Sequence, residues 1–149
     1  MSRSDGGLSA VARWRAFGEA RAADRFQREA FATAQADARA VDADLHLEDV
    51  SQAVSALLGA DTMDLPRLQL ASHIHDAAAD RLQEQRELAA AARELRNQAQ
   101  QAYATARADT RMVEVRAKRQ AAVASERREK LMFDWMADMR VQAGSTRDD

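Results

Sequence analysis

The sequence predicts an all-α fold, two long helices forming an antiparallel coiled-coil hairpin. Three observations carry that expectation. From Asp64-Leu65-Pro66 to about Val141 no second Pro and no Gly interrupts the chain, a run of roughly 75 residues that at ~1.5 Å each makes a rod on the order of 110 Å long. Ala, Arg, Glu, Gln and Leu fill it, all strong helix formers. Only one stretch, 59–64, reads as a convincing turn. A helix several times the usual ~11–12 residues does not wrap a globular core, so it must lie along another long helix or a partner chain.

Composition sets the thickness of the expected seam. Alanine makes up close to a quarter of the chain, Ile74 is the single isoleucine, and aromatics are 5% of the residues. At about 25 cal/mol per Å² of buried apolar surface, alanine contributes far less than leucine, so the seam should be thin. The net charge is −2 with acids and bases interspersed, unlike the one-sided basic excess of a dedicated nucleic-acid binder. The chain has no cysteine, which excludes disulfides and thiolate metal sites and fits a reducing compartment. Met1-Ser-Arg-Ser-Asp-Gly-Gly lacks an apolar signal region, and no stretch approaches ~18 uninterrupted apolar residues. A cytoplasmic protein without a transmembrane segment is expected.

Residues 1–8 read as a flexible leader, with Gly6-Gly7 inside it and Ser9 as the N-cap of a first helix over 9–58. Gly18 costs that helix only ~1 kcal/mol against Ala. Trp14 and Phe17 lie three apart on one face, and Phe31, Ala34, Ala38, Val41 and Leu45 follow a three-four spacing. Leu47, Val50, Val54 and Leu57 continue it in a shifted phase, which is either a stutter in the supercoil or noise in a sequence where Ala fits either face. Gly59 stands where a left-handed residue would end the helix. Asp64 is placed to cap the second helix, 65–142, and Pro66 falls in its first turn, where a missing amide costs nothing. A connection this short favours antiparallel neighbours. In the second helix Ile74, Leu88, Ala92, Leu95, Ala99, Ala102 and Ala106 form a heptad-like stripe. The second helix outruns the first, and 143–149 read as a flexible tail.

Chemistry-bearing constellations are few. His73 shares a helix face with Asp76 and Asp80, and Asp42 with His46 and Asp49, but His73 and His75 are two apart and point different ways. The Glu-x-x-His pairing of di-iron bundles is absent, so no metal is expected. No phosphate loop, nucleophile elbow or zinc signature is present, and a two-helix rod offers no pocket in which catalytic groups converge. No enzyme activity and no cofactor are expected. From Arg111 to Lys130 runs a basic segment containing Arg116, Lys118, Arg119, Arg127 and Arg128 against Glu114, Glu126 and Glu129. It reads as a salt-bridged solvated face or as a docking surface for an acidic partner or nucleic acid. No aromatics interleave with the bases, which disfavours single-strand binding. The cluster Leu131, Met132, Phe133, Trp135, Met136 and Met139 covers most of the helix circumference. One seam needs one stripe, so part of this surface either faces a partner or packs on Trp14 and Phe17 from the same end of the hairpin.

Three stretches carry a resemblance: Arg13-Trp-Arg-Ala-Phe-Gly-Glu-Ala-Arg, Leu57-Leu-Gly-Ala-Asp-Thr-Met-Asp-Leu-Pro-Arg-Leu at the turn, and Arg116-Ala-Lys-Arg followed by Glu126-Arg-Arg-Glu-Lys-Leu-Met-Phe-Asp-Trp-Met. With the layout of two long helices about one turn, the chain resembles the FliJ family of flagellar export proteins and the YscO-like proteins of virulence type III secretion systems. Its alanine content and the scarcity of leucine in the seam depart from that family's pattern. The resemblance implies a non-enzymatic stalk inside a hexameric secretion ATPase, linking it to an export gate at the inner membrane and, in some members, handling export chaperones. It would set Trp14, Phe17, Arg127, Arg128, Met132, Trp135, Met136 and Met139 against the ATPase ring, and Leu57, Leu58, Leu65 and Leu68 toward the gate. The competing expectations are a coiled-coil secretion chaperone or an oligomeric scaffold.

Overall fold

The computed structural model describes residues 3–145, with side chains described over 7–142. Two helices account for nearly all of it, α1 (Arg3–Leu58) and α2 (Leu65–Ser145), packed against each other as an all-α helical hairpin. Among the described residues there is no strand. By contacts the chain forms two compact units, one of residues up to Glu19 with those from Ala106, the other of Ala20–Thr105.

In the unit Ala20–Thr105 the helices run antiparallel: Arg93 Nη2 meets Asp37 Oδ1 at 2.6 Å and Arg86 Nη2 meets Asp44 Oδ1 at 3.1 Å, one number rising as the other falls. On α1 one series of covered positions runs Ala22, Phe26, Glu29, Thr33, Ala36, Ala40, Ala43, Leu47, Val50, Val54 and Leu57, with Ala23, Ala30, Asp37 and Ser51 partly covered beside it; on α2 the series is Leu68, Ala71, His75, Ala78, Leu82, Gln85, Ala89, Ala92, Arg96, Ala99 and Tyr103, with Ala79 beside it. Both series alternate steps of three and four without interruption, the 3.5-residue period of a coiled coil. The supercoil therefore has no stutter at Leu45–Leu47. The buried members are Thr33, Ala43, Ala78, Leu82, Ala89 and Ala99, so small side chains dominate the most covered layers, with Leu82 the one large residue among them. Thr33 Oγ1 donates across it to the Ala92 carbonyl at 3.0 Å, and the Phe26 and Tyr103 rings stack at 6.3 Å, 4° from parallel.

The expected α1 stripe lies off this seam, and the expected α2 stripe is split, with Ala92, Ala99 and Ala106 covered and its larger members outside. Phe31, Ala34, Ala38, Val41 and Leu45 are exposed, as are Ile74, Leu88 and Leu95. Each stripe has helical spacing of its own, but the phase richest in alanine is the one that faces the other helix.

The turn follows the expected chemistry at one end and departs from it at the other. The Asp64 carboxylate accepts from the Arg67 amide at 3.2 Å, and the Leu68 amide donates to the Asp64 carbonyl at 3.0 Å, so Asp64 is the N-cap and Pro66 sits in the first turn. No glycine among the described residues has a positive φ, Gly59 included. Its amide donates to the Ser55 carbonyl at 3.1 Å, a last helical bond in place of a left-handed cap. The expected boundaries also move. Of the supposed leader, residues 3–8 are helical, which makes Ser9 an interior residue rather than a cap, and residues 1–2 lie outside those described. Of the supposed tail, 143–145 are helical, and 146–149 lie outside the described residues. Once a long helix is nucleated, extending it over residues such as Gly6 and Gly7 costs only ~1 kcal/mol each.

A candidate partner-binding surface

In the unit that holds the two helix ends, α1 turns Leu8, Ala12, Arg15 and Glu19 toward α2, which answers with Ala106, Asp109, Thr110, Val113 and Ala117. Thr110 Oγ1 donates to the Arg15 carbonyl at 3.3 Å and to its own helix at Ala106 at 3.0 Å. Arg15 Nη1 meets Asp109 Oδ2 at 2.7 Å, and the same guanidinium lies 5.1 Å from the Trp14 ring centroid. The charge that ties the helices together also covers part of the indole face. Trp14 nonetheless remains 67% exposed, and Phe17 is exposed beside it.

Stepping outward residue by residue from the Thr110–Arg15 contact, α1 runs out where α2 has reached about residue 122. The last partly covered residue on α2 is Ala124, and every described side chain from Ser125 to Gln142 is exposed. Within that uncovered stretch lie Leu131, Met132, Phe133, Trp135, Met136, Met139 and Val141. At about 100° per residue, the positions from Leu131 round to Phe133 span an arc of about 200°, roughly twice the stripe that faces a single neighbour. Trp135 is 61% exposed and Trp14 67% exposed, so both indoles present most of their surface to solvent. Sequence reasoning named four of these residues for the site and left out Leu131 and Phe133, which bound the same uncovered arc, and Val141, which lies beyond it.

Arg127 and Arg128 are exposed in the same stretch. Arg128 Nε donates to the Ala124 carbonyl at 3.3 Å, back onto its own helix. Among the described residues, none of the bases from Arg111 to Lys130 forms an ion pair with the acids interspersed among them. This is a solvated basic face and not a salt-bridged one.

The residues expected at the far end are divided. Leu57 and Leu68 are half-buried in the last layers of the hairpin, while Leu58 and Leu65 are exposed with Met63 beside the turn. No three His, Asp or Glu side chains converge into a metal site among the described residues; His46 and His73 stay at the surface. An open groove beside the seam is lined by Arg39, Asp42, His46, Arg81, Gln85 and Leu88. No helix among the described residues is long and apolar enough to cross a membrane. Compared with known proteins, the chain matches no family model, no curated sequence and no solved structure.

Proposed function

We propose that the chain is a non-enzymatic coupling stalk of a bacterial type III secretion apparatus, working in the cytoplasm at the inner-membrane export machinery. The end of α2 inserts into a hexameric secretion ATPase, and the turn end, with Leu57, Leu58, Leu65 and Leu68, engages the export gate. One observation carries the reading: past Ala124 a helix without cover bears large apolar side chains over about 200° of its circumference. A flat surface or a single groove would cover one side of such an arc. A ring that surrounds the helix covers all of it, with Met and Trp adapting to the wall. Trp14 and Phe17 belong to the same end in this reading, and the unpaired Arg127 and Arg128 supply cationic contacts to acidic positions of the ring. The resemblance to FliJ and YscO-like proteins supports the choice of partner.

The test is ATP hydrolysis by a purified hexameric secretion ATPase with and without the chain. The wild-type chain should raise turnover at about one copy per ring, and the double substitution Trp135→Asp/Met136→Asp should abolish the effect while helicity by circular dichroism persists. A chain that binds export substrates but leaves ATP hydrolysis unchanged would belong to the chaperone class instead.

A further inference from the structure

The apolar arc near the end of α2 is not a continuation of the hairpin seam. Thr110, Ala117 and Ala124 are wholly or partly covered and stand seven apart, and two more steps of seven reach Leu131 and Asp138. At about 100° per residue, Met139, Met132 and Met136 lie about 80–140° round from that line. The middle of the arc is therefore a different face from the one that meets α1, and its three methionines are exposed. With Glu129 they step by three, four and three, the period of a second coiled-coil seam. All of it lies in the unit that holds the two helix ends.

The charges round this face select its occupant. Every charged side chain described from Ser125 to Gln142 is exposed, and none forms an ion pair among the described residues. Measured round the helix from Met132, Arg127, Lys130 and Asp134 lie about 140–160° away, on the back. The rest border the methionines. One edge carries Glu126 and Glu129 before the apolar block and Arg140 after it; the other carries Arg128 before it and Asp138 towards its end. On each edge the sign reverses from one end to the other, so each edge complements its own reverse. Antiparallel helices bring like edges together, as the hairpin does: Asp37 and Arg93, paired at 2.6 Å, each stand four residues past a seam residue, Thr33 and Ala89. With Met132 facing Met136 of a second copy, Glu129 comes beside Arg140 and Arg128 beside Asp138 at both ends of the interface. Phe133 and Trp135 fall at its centre, each near its own counterpart. Like charges on one edge are left about 12 Å or more apart along the axis. A parallel arrangement would instead set Glu129 beside Glu129 and Arg128 beside Arg128.

We propose that, away from its ring, this face is occupied by the same stretch of a second copy, the two bare ends lying antiparallel and capping each other. The interface is isologous, each copy presenting the same patch. A second copy covers the methionine stripe and the near sides of Phe133 and Trp135 and leaves Leu131 open at the margin, so a ring enclosing the whole arc displaces it. The pairing stands on this chain's own residues; its role as a cover for the docking end rests on the stalk reading.

Sedimentation of the full-length chain from micromolar to millimolar concentration tests it. Wild type should pass from monomer to dimer. Met132→Asp/Met136→Asp should be monomeric throughout with unchanged helicity, and Phe31→Asp/Val41→Asp should dimerise like wild type. Arg140→Glu should weaken the dimer by about tenfold, two favourable contacts becoming repulsive, and adding Glu126→Arg/Glu129→Arg to it should regain the wild-type constant. A monomeric wild type, a dimer that survives Met132→Asp/Met136→Asp, or an association lost only on changing Phe31 and Val41 would overturn the proposal. Failure of the swapped charges to rescue Arg140→Glu would overturn the antiparallel pairing. A hexameric secretion ATPase added to the dimer should split it, and a ring complex that keeps the chains paired would overturn the capping role. A dimer that forms as expected beside an ATPase whose turnover the chain does not raise would sink the stalk reading and leave the pairing standing.

Discussion

The Thr33 hydroxyl lies 2.8 Å from the Glu29 carbonyl on its own helix and 3.0 Å from the Ala92 carbonyl on the other, with the residue 2% exposed. One proton is shared between an intrahelical and an interhelical acceptor, which is possible only where the two backbones come close. Thr33→Val keeps the shape and removes the proton, and should cost about 1 kcal/mol. Thr33→Leu adds volume that the narrow seam has no room for and should cost about 1–3 kcal/mol. Urea unfolding of the two variants orders them. In a leucine-filled coiled coil the larger residue would be the more stable one, so a gain in stability for Thr33→Leu would contradict the close-packed seam.

The two ends of the turn should respond in opposite directions. Asp64 caps α2 through its carboxylate and also meets Arg67 Nε at 3.1 Å, so Asp64→Ala should lose about 1 kcal/mol. At Gly59 there is no positive φ, and an added Cβ would meet nothing nearer than the Ser55 carbonyl at 3.5 Å, an ordinary contact. Gly59→Ala should therefore gain about 0.4–1 kcal/mol by restricting the unfolded chain. A loss of stability for Gly59→Ala in thermal unfolding would mean that the residue uses its left-handed freedom after all.

Phe26 and Tyr103 form a stacked ring pair across the seam. A double-mutant cycle with Phe26→Leu and Tyr103→Leu should return a coupling of about 0.5–1.5 kcal/mol. Strictly additive losses would show that the rings only occupy space.

Truncation separates the covered from the uncovered part of α2. Among the described residues, a chain ending at Ser125 loses none with a partly covered side chain, so its Tm should stay within about 2 °C of the full-length value. Its stimulation of the secretion ATPase should be lost. A large fall in Tm would mean that the removed stretch packs on the hairpin.

The parts of the fold that were readable from sequence are those governed by local rules. The uninterrupted run after Pro66 and the Asp64 cap require no knowledge of what packs where. The seam was not readable in the same way, because three-four spacing occurs on α1 in two phases and the phase with Phe31, Val41 and Leu45 carries the larger side chains. Tertiary packing decides between them: Thr33 and Ala43 are buried against α2, and Phe31 is left 67% exposed. Nothing in residue type marks Thr33 or Thr110 as seam residues except that each falls in step with the alanines. Gly59 misled for a related reason, since glycine after a helix usually signals a left-handed residue, and here it only ends the run. The apolar end of α2 was legible because its side chains point to more sides than one neighbour can cover. The loss of α1 beyond about residue 122 needed the register, which the Thr110–Arg15 bond supplies.

The bare end of α2 grows out of a helix that is already wound. A separate peptide of that size would be marginal in water, since the first turn must form before any bond rewards it. Joined to the hairpin, it skips initiation and has only to elongate, residue after residue, from a template already in place. Severing it from that template, for instance with a proline pair near Ala124, should leave the stem intact and turn docking at the tip into a coupled folding reaction, slower and weaker although every apolar side chain is still present.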